Sequence, residues 1–316
     1  MTANPNQPAI AVAGLRKSYG DKVVLDGIDL TVAEGTIFSL LGPNGAGKTT
    51  IVKILSTLVR ADGGEIRVAG HDLVREPDAV RAAIGVTGQF SAIDRLLTGE
   101  ENLLLMADLH HLGRRTGRRR AAELLERFDL VEAARKMAAT YSGGMQRRLD
   151  LAMTLVGDPR VVFLDEPTTG LDPRSRRDMW QLIRELAAGG VTIFLTTQHL
   201  EEADHLSDRI AVLDNGRLVA EGSPDELKRK IPGGHVSMRF AGADELALAA
   251  RTLTGLARHD DALTLQVPHD GSVHSLRALL ARLDDASLEV ETLTVHTPDL
   301  DDVFFAFTGK EKETAR

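Results

Sequence analysis

The sequence contains no cysteine. That absence excludes disulfides and thiolate metal sites, and with them the small disulfide-stapled and zinc-ribbon classes. Long apolar runs are also missing, since no stretch approaches the ~20 residues that a bilayer-spanning helix needs. If the protein works at a membrane, something other than a spanning segment of its own must carry it there. Its first residues, "MTANPNQPAI", lack a basic segment followed by an apolar one, so no secretory leader is expected. Basic charge is in deficit too: 38 Lys and Arg face 46 Asp and Glu, a net charge of −8 that handicaps a general nucleic-acid binder. What remains is ample for folding. Hydrophobic residues at 43% and charged residues at 27% are globular proportions, and 316 residues suffice for one large domain plus a small one, or two ordinary ones.

Residues 39–55 read "SLLGPNGAGKTTIVKIL". A short apolar run ends in a loop of Gly42, Pro43, Asn44, Gly45, Ala46, Gly47, Lys48, Thr49 and Thr50, and a helix-periodic segment follows. Gly42, Gly47, Lys48 and Thr49 meet the spacing G-x-x-x-x-G-K-[ST]. Glycines let successive N–H groups turn inward on a ligand, and a helix N-terminus favours an anion. Lys48 is placed for β/γ-phosphates, the Thr49 hydroxyl for Mg²⁺, and Thr50 for the α-phosphate. A plain glycine turn between strand and helix competes with this reading, so the downstream sequence has to decide.

Before the loop, "AIAVAGLRKSYG" and "KVVLDGIDLTVAEGTIFSLLG" suggest an antiparallel β layer, the second as short runs broken by Gly and Asp. "GGEIRVAGHDL" adds a strand and a turn. Residues 98–137 change to helical spacing in "GEENLLLMADLHHLG" and "RRRAAELLERFDLVEAARK" and are expected to form a separate lobe. "RVVFLDEP" and "VTIFLTTQH" read as buried strands, and "RRDMWQLIRELAAGG" as a helix closed by glycine. The alternation implies an α/β core with a parallel sheet. Charge, Pro232, Gly233 and Gly234 cluster in "KRKIPGGHV" and mark a boundary. Beyond it, "HVSMRF", "ALTLQV" and "LEVETLTVH" look like strands. "ADELALAARTLTGLA", "SVHSLRALLARLDDA" and "LDDVFFAFTG" look like helices, giving a compact α/β module.

Asp165, at the end of "VVFLDE", fits a carboxylate that holds Mg²⁺ through its water shell. Glu166 can polarise a water for in-line attack on a γ-phosphate. The competing reading is a pair of strand-end carboxylates capping the next helix. In "TYSGGMQRRLDLAMTL", Ser142, Gly143 and Gly144 stand before an amphipathic helix, again an anion-friendly start. One nucleotide needs one phosphate loop, so a second such element suits a nucleotide held by another subunit. Taken alone, S-G-G is an ordinary helix start.

These stretches together resemble an ABC-type ATPase, the nucleotide-binding subunit of an ABC transporter. "GPNGAGKTT" resembles Walker A and "VVFLDE" Walker B. Gln89 in "GVTGQF" matches the Q-loop and "YSGGM" the family signature. Asp172 in "TGLDP" matches the D-loop, His199 in "LTTQHLEEAD" the switch histidine, and Tyr19 in "LRKSYG" the adenine-stacking aromatic. All occur in the family's order, across roughly residues 8–230. Tyr141 and Met145 stand where the commonest signature has Leu and Gln. "YSGGMQRRL" resembles the drug- and polysaccharide-export branch of the family, and the closing "PDLDDVFFAFTG" resembles the ending of daunorubicin-resistance-type ATPase subunits.

The resemblance implies a P-loop ABC ATPase domain over residues 1–230: a RecA-like parallel-sheet core, an antiparallel β layer and a helical lobe at about 98–150. A small C-terminal α/β accessory domain over residues 235–316 would follow. It implies ATP and Mg²⁺ as cofactors, with Thr49, Gln89 and Asp165 around the metal, and Glu166, His199 and Gln89 as catalytic residues. Two such subunits, read as a homodimer, would clamp ATP between Walker A of one and Ser142, Gly143 and Gly144 of the other, with Asp172 communicating between sites. A polytopic membrane permease would be the partner, holding the subunit peripherally at the cytoplasmic face of the membrane; no nucleic acid is expected. A rival is a soluble ABC-type ATPase acting on nucleic acid or the ribosome. Against it, no sustained heptads separate Gln89 from Ser142, and one ATPase cassette is present rather than two. A regulatory ATPase that transports nothing is a third reading.

Other residues are expected to be ordinary. His110 and His111 lack metal-spaced partners, and Trp180 reads as a packing residue in an amphipathic helix. "RRTGRRR", residues 114–120, reads as a solvated helix-connecting loop, with lipid phosphates or an acidic partner as the alternative contact. Phe304, Phe305 and Phe307 are expected inside the C-terminal module.

Overall fold

A computed structural model of the chain describes residues 8–88, 92–231, 234–253, 255, 257–270, 272–296 and 298–308. In β1 (Ile10–Tyr19) Ile10, Val12 and Leu15 are buried, and the strand is flanked on both sides. β2 (Lys22–Val32) pairs with it antiparallel, as does β4 (Gly63–Val68), which β5 (His71–Asp72) extends. β2 is one strand of 11 residues rather than the short runs expected. Gly27, at φ +74, takes up an extra residue between the Leu15↔Ile28 and Arg16↔Asp26 pairs. The break read from the sequence is thus a bulge that bends the strand without ending it.

Behind this layer stands a six-stranded sheet in the order β10-β9-β3-β8-β7-β6. Its strands are β3 (Ile37–Leu41), β6 (Ile84–Thr87), β7 (Val161–Asp165), β8 (Thr192–Thr197), β9 (Arg209–Asp214) and β10 (Arg217–Gly222). The neighbours from β9 to β6 run parallel, and only the β9–β10 hairpin is antiparallel. Every residue of β3, β7 and β8 is buried, as continuous apolar runs covered on both faces require. On one face α1 (Lys48–Leu55) and α2 (Pro77–Ala83) join the β layer in a core around Phe38, Phe163 and Phe194. The other core draws in α3 (Gly99–Leu109), α4 (Arg114–Arg127), α5 (Gly143–Thr154), α6 (Pro173–Ala188) and α7 (Leu200–Leu206).

The lobe departs from its sequence reading twice. Residues 114–120 are not a loop; they form the first half of α4. Gly117 is the reason that this arginine-rich stretch can pack, because a Cβ there would lie 2.9 Å from the Ala107 Cβ of α3. Arg120 then reaches the Leu155 carbonyl at 2.8 Å. The helix also stops at Arg127, short of the stretch expected to continue it: Asp129 takes φ +53, and a short 3-10 turn over Val131–Ala133 follows. His110 caps the C-terminus of α3, and Trp180 is buried, as a packing residue should be.

The chain divides into two compact units, Met1–Pro224 and Asp225–Arg316, at α8 (Pro224–Arg229). The second contains β11 (His235–Arg239), α9 (Ala243–Thr252), β12 (Ala257–His259), β13 (Thr264–Pro268), α10 (Val273–Asp285), β14 (Thr292–His296) and α11 (Leu300–Thr308). Its antiparallel sheet has the order β12-β13-β11-β14, a split βαβ arrangement. Val236, Met238, Leu265 and Val267 turn onto Leu246 and Ala249 of α9 and Leu279 and Leu283 of α10. The phenylalanines of α11 are not its interior: Phe304, Phe305 and Phe307 are half-buried, whereas Leu300 and Val303 take the buried positions at i and i+3.

The contact at Gly117 gives a direct check on the lobe. Gly117→Val should destabilise it by about 1–3 kcal/mol through overpacking against Ala107. Urea denaturation followed by far-UV circular dichroism measures this, and a solvated loop at 114–120 would leave the midpoint unchanged.

Candidate functional site

The C-terminal ends of β3, β7 and β8 share one edge of the sheet, with Leu41 beside Thr197 and Asp165 beside Thr196. Open α/β sheets bind ligands at such an edge. From β3 the chain passes through residues 42–47 into α1. A Cβ on Gly42 would sit 2.4 Å from the Leu213 carbonyl oxygen, so no side chain fits. Gly47 begins α1 at φ +115, and no side chain caps the helix. The first N–H groups of α1 therefore carry no side-chain acceptor and suit an anion. Ala46 is buried, while Asn44 and Gly45 are exposed and Pro43, Thr49 and Thr50 half-buried.

Lys48 is 6% exposed, an unusual place for an ammonium. Its Nζ donates to the carbonyls of Gly42 at 2.6 Å and Pro43 at 3.3 Å, and lies 3.9 Å from Glu166 Oε1. Burial pushes its pKa below the ordinary 10.5, opposed by the charges of Glu166 and Asp165. Asp165, also buried, accepts hydrogen bonds from Thr196 and, at 3.4 Å, from Thr49 Oγ1.

Glu166 has φ +50, a left-handed backbone that costs a non-glycine residue about 1–3 kcal/mol. Three elements hold it there. Its N–H donates to the Thr196 carbonyl at 3.1 Å and to Thr196 Oγ1 at 3.2 Å. Arg147 of α5 donates to its carbonyl at 3.1 Å, and Thr169 Oγ1 donates to its Oε2 at 3.3 Å. Thr196 and Arg147 were not legible as site residues, because nothing in "LTTQH" or "MQRRL" announces contacts made only by folding.

Ser142 caps α5, its Oγ accepting from the Met145 N–H at 3.3 Å. A Cβ on Gly143 would meet nothing within 4 Å, whereas one on Gly144 would lie 2.8 Å from Ser175 Oγ. That closeness brings the start of α5 beside the start of α6, where Asp172 accepts from the N–H groups of Arg174 and Ser175, both at 3.0 Å. A hydrogen bond from Ser175 Oγ, together with those from the two N–H groups, holds the Asp172 carboxyl below the usual carboxylate range. Tyr141 is buried in the lobe and donates to the Ala133 carbonyl at 2.7 Å, and Met145 packs against the same core. His199 caps α7 and is half-buried; the preceding Gln198, the first residue past β8, is exposed. Tyr19 ends β1, half exposed, with Lys17 Nζ 5.2 Å from its ring centroid. Lys48, Thr49, Asp165 and Glu166 thus form one contact group. Ser142, Asp172, His199 and Tyr19 make no hydrogen bond or ion pair to it among the described residues. Gln89 lies outside the described residues.

Residues 25–169 match the ABC transporter family. A daunorubicin resistance ATP-binding protein of Streptomyces coeruleorubidus is 52% identical over 306 residues, covering 96% of this chain and 97% of its own. The chain belongs to the ABC transporter ATP-binding family. A Nod factor export ATP-binding protein of Bradyrhizobium diazoefficiens is 39% identical over 316 residues, covering 98% of this chain and 99% of its own. A solved ATP-binding subunit of an ABC transporter superposes with a TM-score of 0.63 at 30% identity, covering 70% of this chain and 92% of that one. The fold is accordingly the P-loop ABC fold, and the chain is an ATP-hydrolysing subunit of that family. No helix among the described residues is long and apolar enough to cross a membrane.

Lys48 is buried with loop carbonyls as its nearest acceptors and the Glu166 carboxylate 3.9 Å away. With its folded pKa below that of the unfolded chain, the unfolded state binds the proton more tightly, so stability rises as pH climbs through that interval. Below it the buried charge costs stability. Lys48→Met should therefore leave the thermal midpoint of the nucleotide-free protein unchanged or raised, while abolishing the rise that ATP produces. Differential scanning fluorimetry with and without ATP checks both halves; a fall in the nucleotide-free midpoint would contradict them.

Proposed function

We propose that Glu166 is the general base of ATP hydrolysis and that Lys48, Thr49, Thr50 and the residue 42–47 backbone bind the phosphates. The carrying observation is the contact group itself: a buried ammonium, a hydroxyl and two carboxylates at the uncapped start of α1. Among the described residues no three His or acidic side chains gather as a metal site. Thr49 Oγ1 and Asp165, 3.4 Å apart, instead offer two oxygen donors, a set that fits Mg²⁺ retaining water and phosphate oxygens. Bound there with Gln89, Mg²⁺ would neutralise developing phosphate charge. Glu166 orients and deprotonates water, and the left-handed turn at its backbone keeps its carboxylate near Lys48. Tyr19 packs against adenine, and Asp172 links the two sites of a homodimer.

His199 senses the γ-phosphate from the end of β8 in this reading. Gln198 shares that strand end and is the more exposed of the two. Alanine variants at each position separate them: loss of turnover in His199→Ala with Gln198→Ala active assigns the role to His199, and the reverse moves it to Gln198.

The subunit would drive export of a drug-like or lipophilic compound. The names of its daunorubicin-resistance and Nod-factor-export relatives support that class, and both kinds match over nearly the full chain. A polytopic permease would hold it at the cytoplasmic face of the membrane. Residues 1–230 then serve as the ATPase domain, with the lobe at about 98–150, and residues 235–316 as an accessory domain for assembly or regulation. No nucleic acid takes part.

Glu166→Gln should keep ATP affinity, lose turnover by at least about 100-fold, and accumulate as an ATP-bound dimer. Radiolabelled ATP retention on size exclusion measures this; wild-type turnover in the variant would remove Glu166 from its role. A chain ending at Lys230 should still bind ATP, measured by equilibrium dialysis on folded protein.

A further inference from the structure

We propose that Asp150 and Arg147 form a positioning relay that ties the backbone at Ala92 to the backbone of Glu166. Both lie on α5, and both are largely buried, at 4% and 16% exposure. Asp150 Oδ1 accepts the N–H of Ala92 at 3.1 Å, three residues beyond Gln89. Its Oδ2 faces Arg147 Nη1 at 3.3 Å. The other donors of that guanidinium reach the carbonyls of Pro167 at 2.6 Å, Glu166 at 3.1 Å and Asp165 at 3.3 Å. One side chain therefore grips three consecutive peptide units, and Glu166 is the central one.

The chemistry favours a positional role over a stabilising one. A buried ion pair is commonly no more stable than apolar residues of the same volume. Burial indeed pushes the Arg147 pKa down, against the charges of Asp150, Glu202 and Asp165. What apolar residues could not supply is a planar fork of donors for carbonyls turned aside by a left-handed residue. The far end of the loop is held separately. Glu202 of α7, 1% exposed, accepts from Thr168 Oγ1 at 2.7 Å and from Trp180 Nε1 at 3.2 Å. With β8 and α7 fixing the core side, Arg147 is the lobe's hold on Glu166. A displacement of the segment at Ala92 would pass through Asp150 to Arg147, and from there to the direction of the Glu166 carboxylate.

The relay rests on Glu166 being the base, which Glu166→Gln tests independently. Its own test uses the purified full chain, with kcat and ATP affinity measured separately. Arg147→Met should lower kcat by roughly 10- to 100-fold, the scale of a misplacement near 1 Å, with ATP affinity within about 2-fold of wild type. Asp150→Asn should lower kcat in the same way, and the double variant should be no worse than Arg147→Met alone, since both act on one linkage. Arg147→Lys keeps the buried charge and the Asp150 pair, securing the fold, and should fall between wild type and Arg147→Met. Wild-type kcat in Arg147→Met and Arg147→Lys, affinity falling in step with kcat, or multiplicative effects in the double variant would each overturn the relay.

Discussion

A buried ammonium sets the terms for the rest of the ATPase unit. Lys48 cannot be hydrated where it stands, so the surrounding chain must supply acceptors without filling the space that a phosphate needs. The structure meets this with loop carbonyls and a distant carboxylate. Gly42 and Pro43 accept from Nζ, and Glu166 lies 3.9 Å away, too far for a tight pair. In the proposed reading, a polyanion entering at the start of α1 completes what these groups leave unfinished. The parallel order of β3, β8 and β7 follows from the same need, because it brings the loop, Thr196 and the two carboxylates to one edge.

Strain at Glu166 belongs to the same design. A left-handed glutamate persists only where neighbours fix it, and here those neighbours come from separate elements: Thr196 on β8, Arg147 on α5, and Thr169 in its own loop. The Glu166 carboxylate is therefore not positioned by β7 alone. Its aim depends on where α5 stands, and α5 begins at Ser142. Under the proposed relay, movement of the lobe and the aim of the Glu166 carboxylate share one mechanical connection.

The sequence showed the parts of the site that are contiguous. Gly42 to Thr50, the pair Asp165 and Glu166, and the start at Ser142 are legible because loop, strand end and helix cap each carry a local physical signature. The parallel core was legible in the same way, as unbroken apolar runs. What escaped was tertiary. Gly27 looked like a break, since a bulge and a turn share the same residue types. Residues 114–120 looked like loop, since five charged positions mask a helix that Gly117 fits against Ala107. Phe304, Phe305 and Phe307 looked like core on hydrophobicity, whereas the helical phase gives that place to Leu300 and Val303. Arg147, Asp150, Thr196 and Glu202 had no signal at all, because apart from the Arg147–Asp150 pair on α5 their partners are carbonyls, N–H groups, hydroxyls and a carboxylate far away in the chain.

Two helix starts carry the proposed phosphate contacts, α1 behind Gly47 and α5 behind Ser142, and among the described residues no hydrogen bond or ion pair joins Ser142 to the group around Lys48. A site completed by a second copy uses both. The most direct measurement is turnover per chain against chain concentration, with the association state followed by analytical ultracentrifugation in the presence of ATP. A composite site predicts that turnover per chain rises with concentration and levels off as dimer replaces monomer. Turnover that stays constant down to concentrations where only monomer sediments would contradict it.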